Sequence, residues 1–114
     1  MKRFPSIKKN SEFQTVYKNG KSFANKLLIM YVYPGGGPRT RIGISVSKKV
    51  GNSVVRHRAV RLIRECFRAY KDRTDEGLDI VVVVRPAARD SDFSKMESAY
   101  RHLCGLHNII KESK

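Results

Sequence analysis

Tryptophan is absent from this 114-residue chain, cysteine occurs twice and proline four times. No apolar run approaches the roughly 18–20 residues that cross a bilayer. No apolar segment follows the charged start Met1-Lys2-Arg3-Phe4-Pro5, so a secretory signal is not expected either. Cys66 and Cys104 are too few for the disulfide framework of a small secreted domain; they read as reduced, buried thiols of a cytoplasmic protein. Negative charge is scarce through most of the chain. Residues 1–71 carry 17 Lys and Arg against two acids, Glu12 and Glu65, whereas residues 72–114 carry 7 against 8. The net charge of +14 therefore sits in one part of the chain. A field of one sign attracts polyanions, of which nucleic acids and anionic membranes are the common kinds.

The length suits one domain, 1–114, with residues 1–10 as an extended basic arm. Ser11-Glu12-Phe13-Gln14 has the form of a capping box. It predicts a short helix that runs to about Asn19 and stops at Gly20, with Phe13, Val16 and Tyr17 on one face. Residues 22–33 read as one strand. Leu27, Ile29, Tyr31 and Tyr33 point one way, and Leu28, Met30 and Val32 the other. Pro34-Gly35-Gly36-Gly37-Pro38 reads as the turn of an antiparallel hairpin into a second strand over residues 39–46. There Ile42, Ile44 and Val46 lie on one face, and Gly43, Ser45 and Ser47 on the other. Asn52 or Ser53 caps a long helix from about Val54 to Lys71. The run Ile80-Val81-Val82-Val83-Val84 suits a central strand covered on both faces. A last helix, capped by Asp90, Ser91 or Ser94, runs to about Lys111. Its core stripe is Met96, Tyr100, Leu103, Leu106, Ile109 and Ile110. The order helix, strand, strand, helix, strand, helix predicts an α+β fold: a small mixed sheet with helices packed on it as a two-layer sandwich.

The long helix carries two faces at 100° per residue. Val55, Ala59, Leu62, Ile63, Cys66, Ala69 and Tyr70 form the core stripe. His57, Arg58, Arg61, Arg64, Arg68 and Lys71 form the opposite face with Glu65 as its one acid, and Arg56 lies at the edge of the stripe near Phe67. A solvated helix face normally interleaves acids and bases for i,i+4 support. This face is nearly all of one sign and uses Arg six times to Lys once over residues 56–73. Guanidinium forks match phosphate oxygens and stack on bases. Phe13, Tyr17, Tyr31 and Tyr33 form a second constellation. On spacing alone they read first as core, but the small residues Gly43, Ser45 and Ser47 would leave a shallow groove for a strand of nucleic acid. The tri-glycine loop lacks the Gly-Lys-Ser/Thr ending of a phosphate loop.

Protein-borne catalysis finds no support. His102 and Cys104 point apart on one helix, so with His107 they make no local metal site. No paired carboxylates and no Ser/His/Asp set occur, and a lone His57 lacks the second group that acid–base cleavage of a phosphodiester needs.

Three segments together are specific: Phe13-Gln14-x-Val16-Tyr17-x-x-Gly20, Gly43-Ile44-Ser45-Val46-Ser47-Lys48-Lys49-Val50-Gly51-Asn52, and Val55-Arg56-His57-Arg58-x-x-Arg61-Leu62-Ile63-Arg64-Glu65. They resemble the protein subunit of bacterial ribonuclease P, from about Lys8 to Ile110. The resemblance implies an RNA catalyst that uses Mg²⁺ held mainly by RNA, with no catalytic or metal-ligating residue on the protein. It implies that Lys48, Lys49, Asn52, Arg56, His57, Arg58, Arg61, Arg64 and Arg68 bind that catalytic RNA. It further implies that Phe13, Tyr17 and Tyr31, with Ser45 and Ser47 beside them, hold the 5′ leader of precursor tRNA in a cleft between the sheet and the arginine helix. The implied fold includes a left-handed βαβ crossover, against the usual hand. The expected protein is cytoplasmic, is monomeric alone, and has no membrane partner. Where the family reads Arg-Asn-Arg this chain has Arg56-His57-Arg58, and Val60 stands where many relatives carry a base. Imidazole presents its donor and acceptor in a different geometry from a carboxamide, so the contact at position 57 differs. The alternative readings are a ribosomal or ribosome-assembly RNA-binding protein, a stand-alone nuclease built on His57, and a membrane-surface protein whose basic helix would need its apolar face free.

Overall fold

The β-branched run from Ile80 to Val84 lies inside strand β4 (Asp79–Val84). Five such side chains in succession bury on both faces of a sheet, and that requires a hydrogen-bonded neighbour on each side. The computed structural model, which describes residues 6–111, provides both. Strand β2 (Leu28–Tyr33) pairs antiparallel to β4, with Leu28 opposite Val84 and Tyr33 opposite Asp79. Strand β3 (Arg41–Val46) pairs parallel to it, with Arg41 opposite Asp79 and Val46 opposite Val84. Strand β1 (Lys21–Ala24) completes the order β1-β2-β4-β3.

The hairpin expected between β2 and β3 does not form, because β4 occupies the place between them. Residues 34–40 instead cross the start of β4. Gly36 N–H donates to the Gly77 carbonyl, Arg41 N–H to that of Leu78, and the Thr40 hydroxyl to that of Asp75. The single strand expected over residues 22–33 is two. Asn25 breaks it: its side-chain oxygen accepts from the Leu27 and Leu28 amides, and its Nδ2 donates to the Ala99 carbonyl.

Helix α2 (Ser53–Tyr70) and helix α3 (Phe93–His107) lie on one face of the sheet. There Leu28, Met30, Val32, Ile42, Ile80, Val82 and Val84 meet Ile63, Cys66, Phe67, Met96, Tyr100 and Leu103. Of the two expected caps, Asn52 and Ser53, it is Asn52 that caps α2, its Oδ1 accepting from Val55 N–H at 3.0 Å. The buried stripe of α2 includes Phe67 and leaves Ala69 exposed, the reverse of the wheel's assignment. Burying a phenyl ring removes far more apolar surface from water than burying a methyl. Asp92 caps α3, in place of the three candidates expected. Asn108, at φ 57°, ends it four residues early, so Ile109 reaches the core from outside the helix while Leu106 stays 44% exposed. Cys66 and Cys104 are free and buried, and burial pushes both thiols up to about 12.

Helix α1 (Asn10–Asn19) packs on the opposite face. The expected α+β class holds, with one more strand than the expected order and with α1 set apart from the other two helices. The capping box does not form: the helix begins two residues early, Lys9 stands at its N-cap, and Ser11 lies within it. Of the basic arm expected over residues 1–10, residues 1–5 lie outside the described residues. Ser6 bridges to Ile42, and Ile7 N–H donates to the Ile42 carbonyl on the outer edge of β3.

His107 shows how α3 is held to the sheet. Its Nε2 donates to the Met30 carbonyl at 2.9 Å, and its ring meets Phe23 edge-on at 4.8 Å. Burial holds its pKa below the usual 6.5. The unfolded chain therefore takes up the proton first, and stability falls as pH drops from about 6.5 toward the lowered folded value. Denaturant midpoints measured across that range should decline with acid, and His107→Gln, which keeps a donor without titrating, should flatten the decline.

Candidate nucleic-acid interface

On the α1 face the alternation of the strands brings up Tyr31 and Tyr33 from β2, Val81 and Val83 from β4, and Gly43 and Ser45 from β3. Ile7, Val16 and Val81 are buried there as a small second core. Phe13 and Tyr17 extend from α1 over it. A Cβ built on Gly43 would lie 2.9 Å from Phe13 Cζ and 3.1 Å from Ile7 Cβ, so glycine lets the ring sit directly on the strand. The Phe13 and Tyr17 ring centroids are 6.2 Å apart, and Tyr17 meets Tyr31 edge-on at 4.9 Å. All three rings are half-buried. A shallow groove of 370 Å³ runs beside them, lined by Lys8, Asn10, Phe13, Tyr17, Ile44 and Ser45. Tyr31 supports Tyr17 from behind. Ser47 lies past the end of β3, where its hydroxyl oxygen accepts from Lys49 N–H.

Besides the packing of Val16, Phe13 and Tyr17, one ion-paired side chain ties helix α1 to the sheet. Arg41 donates from Nε and Nη2 to the two carboxylate oxygens of Asp79, at 3.0 and 2.9 Å, and from Nη1 to Glu12 at 2.9 Å. The guanidinium hydrogen bond holds the Glu12 carboxyl below its ordinary value, and the two carboxylates hold Arg41 more firmly protonated.

On the other side of β3, the turn through Lys48 and Lys49 is anchored by buried Val50 and leads into α2. His57, Arg58, Arg61, Arg64 and Arg68 are exposed along α2. Arg58 spends one donor on the Ser91 carbonyl at 2.9 Å, and Arg68 pairs with Glu65 at 3.0 Å. Arg56 is half-buried, and its Nε is buried without a hydrogen-bond partner. It lines a second groove, of 290 Å³, with Ile44, Val46, Ser53, His57 and Val60.

The two grooves thus flank the edge strand β3, and Ile44 lines both. The aromatic set does not lie between the sheet and the arginine helix, as the resemblance implied. Residues alternate in β3, so Gly43 and Ser45 face α1 while Ile42, Ile44 and Val46 face α2. Lys8, Asn10 and Ile44, and the Arg41–Glu12 pair, were not among the expected site residues. Glu12 alone carried a signal, as one of the two acids within residues 1–71.

The family model for ribonuclease P matches residues 1–107. The chain belongs to the ribonuclease P protein family. The ribonuclease P protein component of Lachnoclostridium phytofermentans is 53% identical over 109 residues, which cover 96% of this chain and 94% of the relative. That of Alkaliphilus oremlandii is 42% identical, with 99% of each chain covered. The solved Staphylococcus aureus RNase P protein superposes with a TM-score of 0.88 at 34% identity, covering 96% of this chain and all of its own. The Thermotoga maritima RNase P protein gives 0.79 at 28%, covering 88% and 94%. The chain is thus an RNA-binding bacterial tRNA-processing subunit, a component of an RNA-based endoribonuclease whose partner is the ribonuclease P RNA. Among the described residues no cluster of three or more His, Cys, Asp or Glu side chains could hold a metal, and no helix is long and apolar enough to cross a membrane.

Gly43→Ala should cost about 1–3 kcal/mol of stability, since its methyl overpacks against Phe13 and Ile7. Urea denaturation measures this. Adding Phe13→Leu should recover part of the loss, because the two sites share one contact.

Proposed function

We propose that this ribonuclease P protein binds two RNAs on the two sides of β3. The turn at Lys48 and Lys49, Asn52, and the α2 residues Arg56, His57, Arg58, Arg61, Arg64 and Arg68 hold the catalytic RNA. The groove beside Phe13 and Tyr17, with Tyr31 behind them, Ser45 on β3 and Ser47 just past its end, holds the single-stranded 5′ leader of precursor tRNA. Holding both positions the leader for endonucleolytic removal, which leaves the mature tRNA 5′ end. Mg²⁺ belongs mainly to the RNA. The free protein is a cytoplasmic monomer.

The observation that carries this reading is the state of the aromatic rings. Core rings would be sealed, but Phe13 and Tyr17 are half-buried beside an open groove with Lys8 at its rim. Rings fixed on one side and open on the other can stack bases without reading sequence, and a nearby ammonium can meet the phosphates. Stacking is worth ~1–3 kcal/mol per base, which is about 5- to 150-fold in affinity. Phe13→Ala or Tyr17→Ala should weaken precursor tRNA binding to the reconstituted holoenzyme within that range and leave mature tRNA binding unchanged. Equal losses for both substrates would reassign the rings to packing.

The α2 face is tested by salt. Arg61→Ala and Arg64→Ala should each lower the slope of log affinity for the catalytic RNA against log salt by about one. Glu65→Gln should act in the opposite direction, since it frees Arg68 from a carboxylate 3.0 Å away and removes a negative charge from the face. Filter binding across a salt series distinguishes the signs.

A further inference from the structure

We propose that Arg41 is a positioning residue for leader recognition: its ion pairs with Asp79 and Glu12 fix α1 on the sheet, so that Phe13 and Tyr17 stand where one strand of leader fits beside them. The inference rests on the aromatic groove being the leader site, and it adds the device that sets the groove's shape.

The geometry is that of a strut. Arg41 and Asp79 are register partners across the parallel β3–β4 pair. Asp79 takes two guanidinium donors, which anchors the planar group to the sheet. The remaining nitrogen reaches Glu12 at 2.9 Å. Glu12 immediately precedes Phe13 in the chain, so the strut ends on the same turn of α1 that carries the ring of the groove wall. Val16 already buries α1 against the sheet, and the ion pairs add a directional hold near its N-terminal turn. The helix has ten residues, and its N-cap Lys9 makes no side-chain cap. Helices this short are marginal unless something outside them fixes them. Gly43 sets how closely Phe13 approaches β3 from below, and Arg41 holds the helix that carries it.

Charge argues against the other role open to an arginine here. With a carboxylate on each side, Arg41 and its two partners carry a net negative charge, unlike the net-cationic arginine face of α2. A phosphate would meet two carboxylates at this place. Glu12 is also one of two acids within residues 1–71, and a carboxylate beside an RNA groove weakens RNA binding. Its use is therefore structural.

These two effects have opposite signs in one variant. Glu12→Gln adds a unit of positive charge beside the groove. If charge alone matters, it tightens RNA binding. If Glu12 is the foot of the strut, it loosens α1 and lowers the preference for precursor over mature tRNA. The experiment uses the full chain reconstituted with a bacterial ribonuclease P RNA, and compares wild type, Glu12→Gln, Glu12→Asp, Arg41→Lys and Phe13→Ala. The expected result for Glu12→Gln is an about 3- to 10-fold fall in precursor preference. It should appear as a raised KM with kcat at saturation unchanged, while catalytic-RNA binding is undiminished. Glu12→Asp, which keeps the charge, should restore part of the preference, and Arg41→Lys, which cannot span both carboxylates, should behave like Glu12→Gln. Glu12 lies on the partly exposed surface of α1, so its variants keep the test valid even if those of Arg41 fail to fold. A Glu12→Gln holoenzyme with unchanged or increased preference, alongside a weakened Phe13→Ala, would overturn the strut and leave the groove standing. Unchanged preference in both would remove the groove and the strut together.

Discussion

The position of β4 is the constraint from which the rest of this molecule follows. Five β-branched side chains in a row need cover above and below, and only an interior strand provides it. Placing β4 between β2 and β3 turns the connection after β2 into a crossing and leaves β3 on the edge. It also gives the sheet two unlike faces. One is sealed by α2 and α3 over a large apolar core. The other is only partly covered, by the single short helix α1.

An edge strand with alternating residues then becomes the boundary between two surfaces. Ile42 and Val46 commit one side of β3 to the main core and α2. Gly43 and Ser45 keep the other side thin, which leaves room for the Phe13 ring and the groove beside it. The charge distribution follows the same division. The α2 face is cationic with one acid, Glu65, which pairs with Arg68. The only other acid within residues 1–71, Glu12, pairs with Arg41. Each carboxylate kept in this basic half is thus engaged by an arginine.

Features set by neighbouring residues were legible in the sequence. The Asn52 cap, the arginine face of α2, the alternation in β2 and the interior character of β4 all depend on a few adjacent side chains. Features set by distant pairing were not. Pro34-Gly35-Gly36-Gly37-Pro38 has the composition of a hairpin turn, but composition does not show that β4 will come between the strands it joins. Ser11 to Gln14 satisfies the capping-box pattern, yet Glu12 is drawn to Arg41, 29 residues away. The break at Asn25 depends on the Ala99 carbonyl on α3. The aromatic set was visible as one face. Its separation from the arginine helix was not, because that depends on which face of the sheet each helix covers.

Site-directed RNA cleavage can show whether the two sides of β3 meet two different RNAs. Both native thiols are buried, so a cleavage reagent attached at Ser45→Cys or at Glu65→Cys reports from one place at a time. In the holoenzyme bound to precursor tRNA, the probe at position 45 should cut the 5′ leader and the probe at position 65 should cut the catalytic RNA. Cuts from both positions in the same RNA, or a probe at position 45 that leaves the leader intact, would show that the two sides of β3 do not hold separate RNAs.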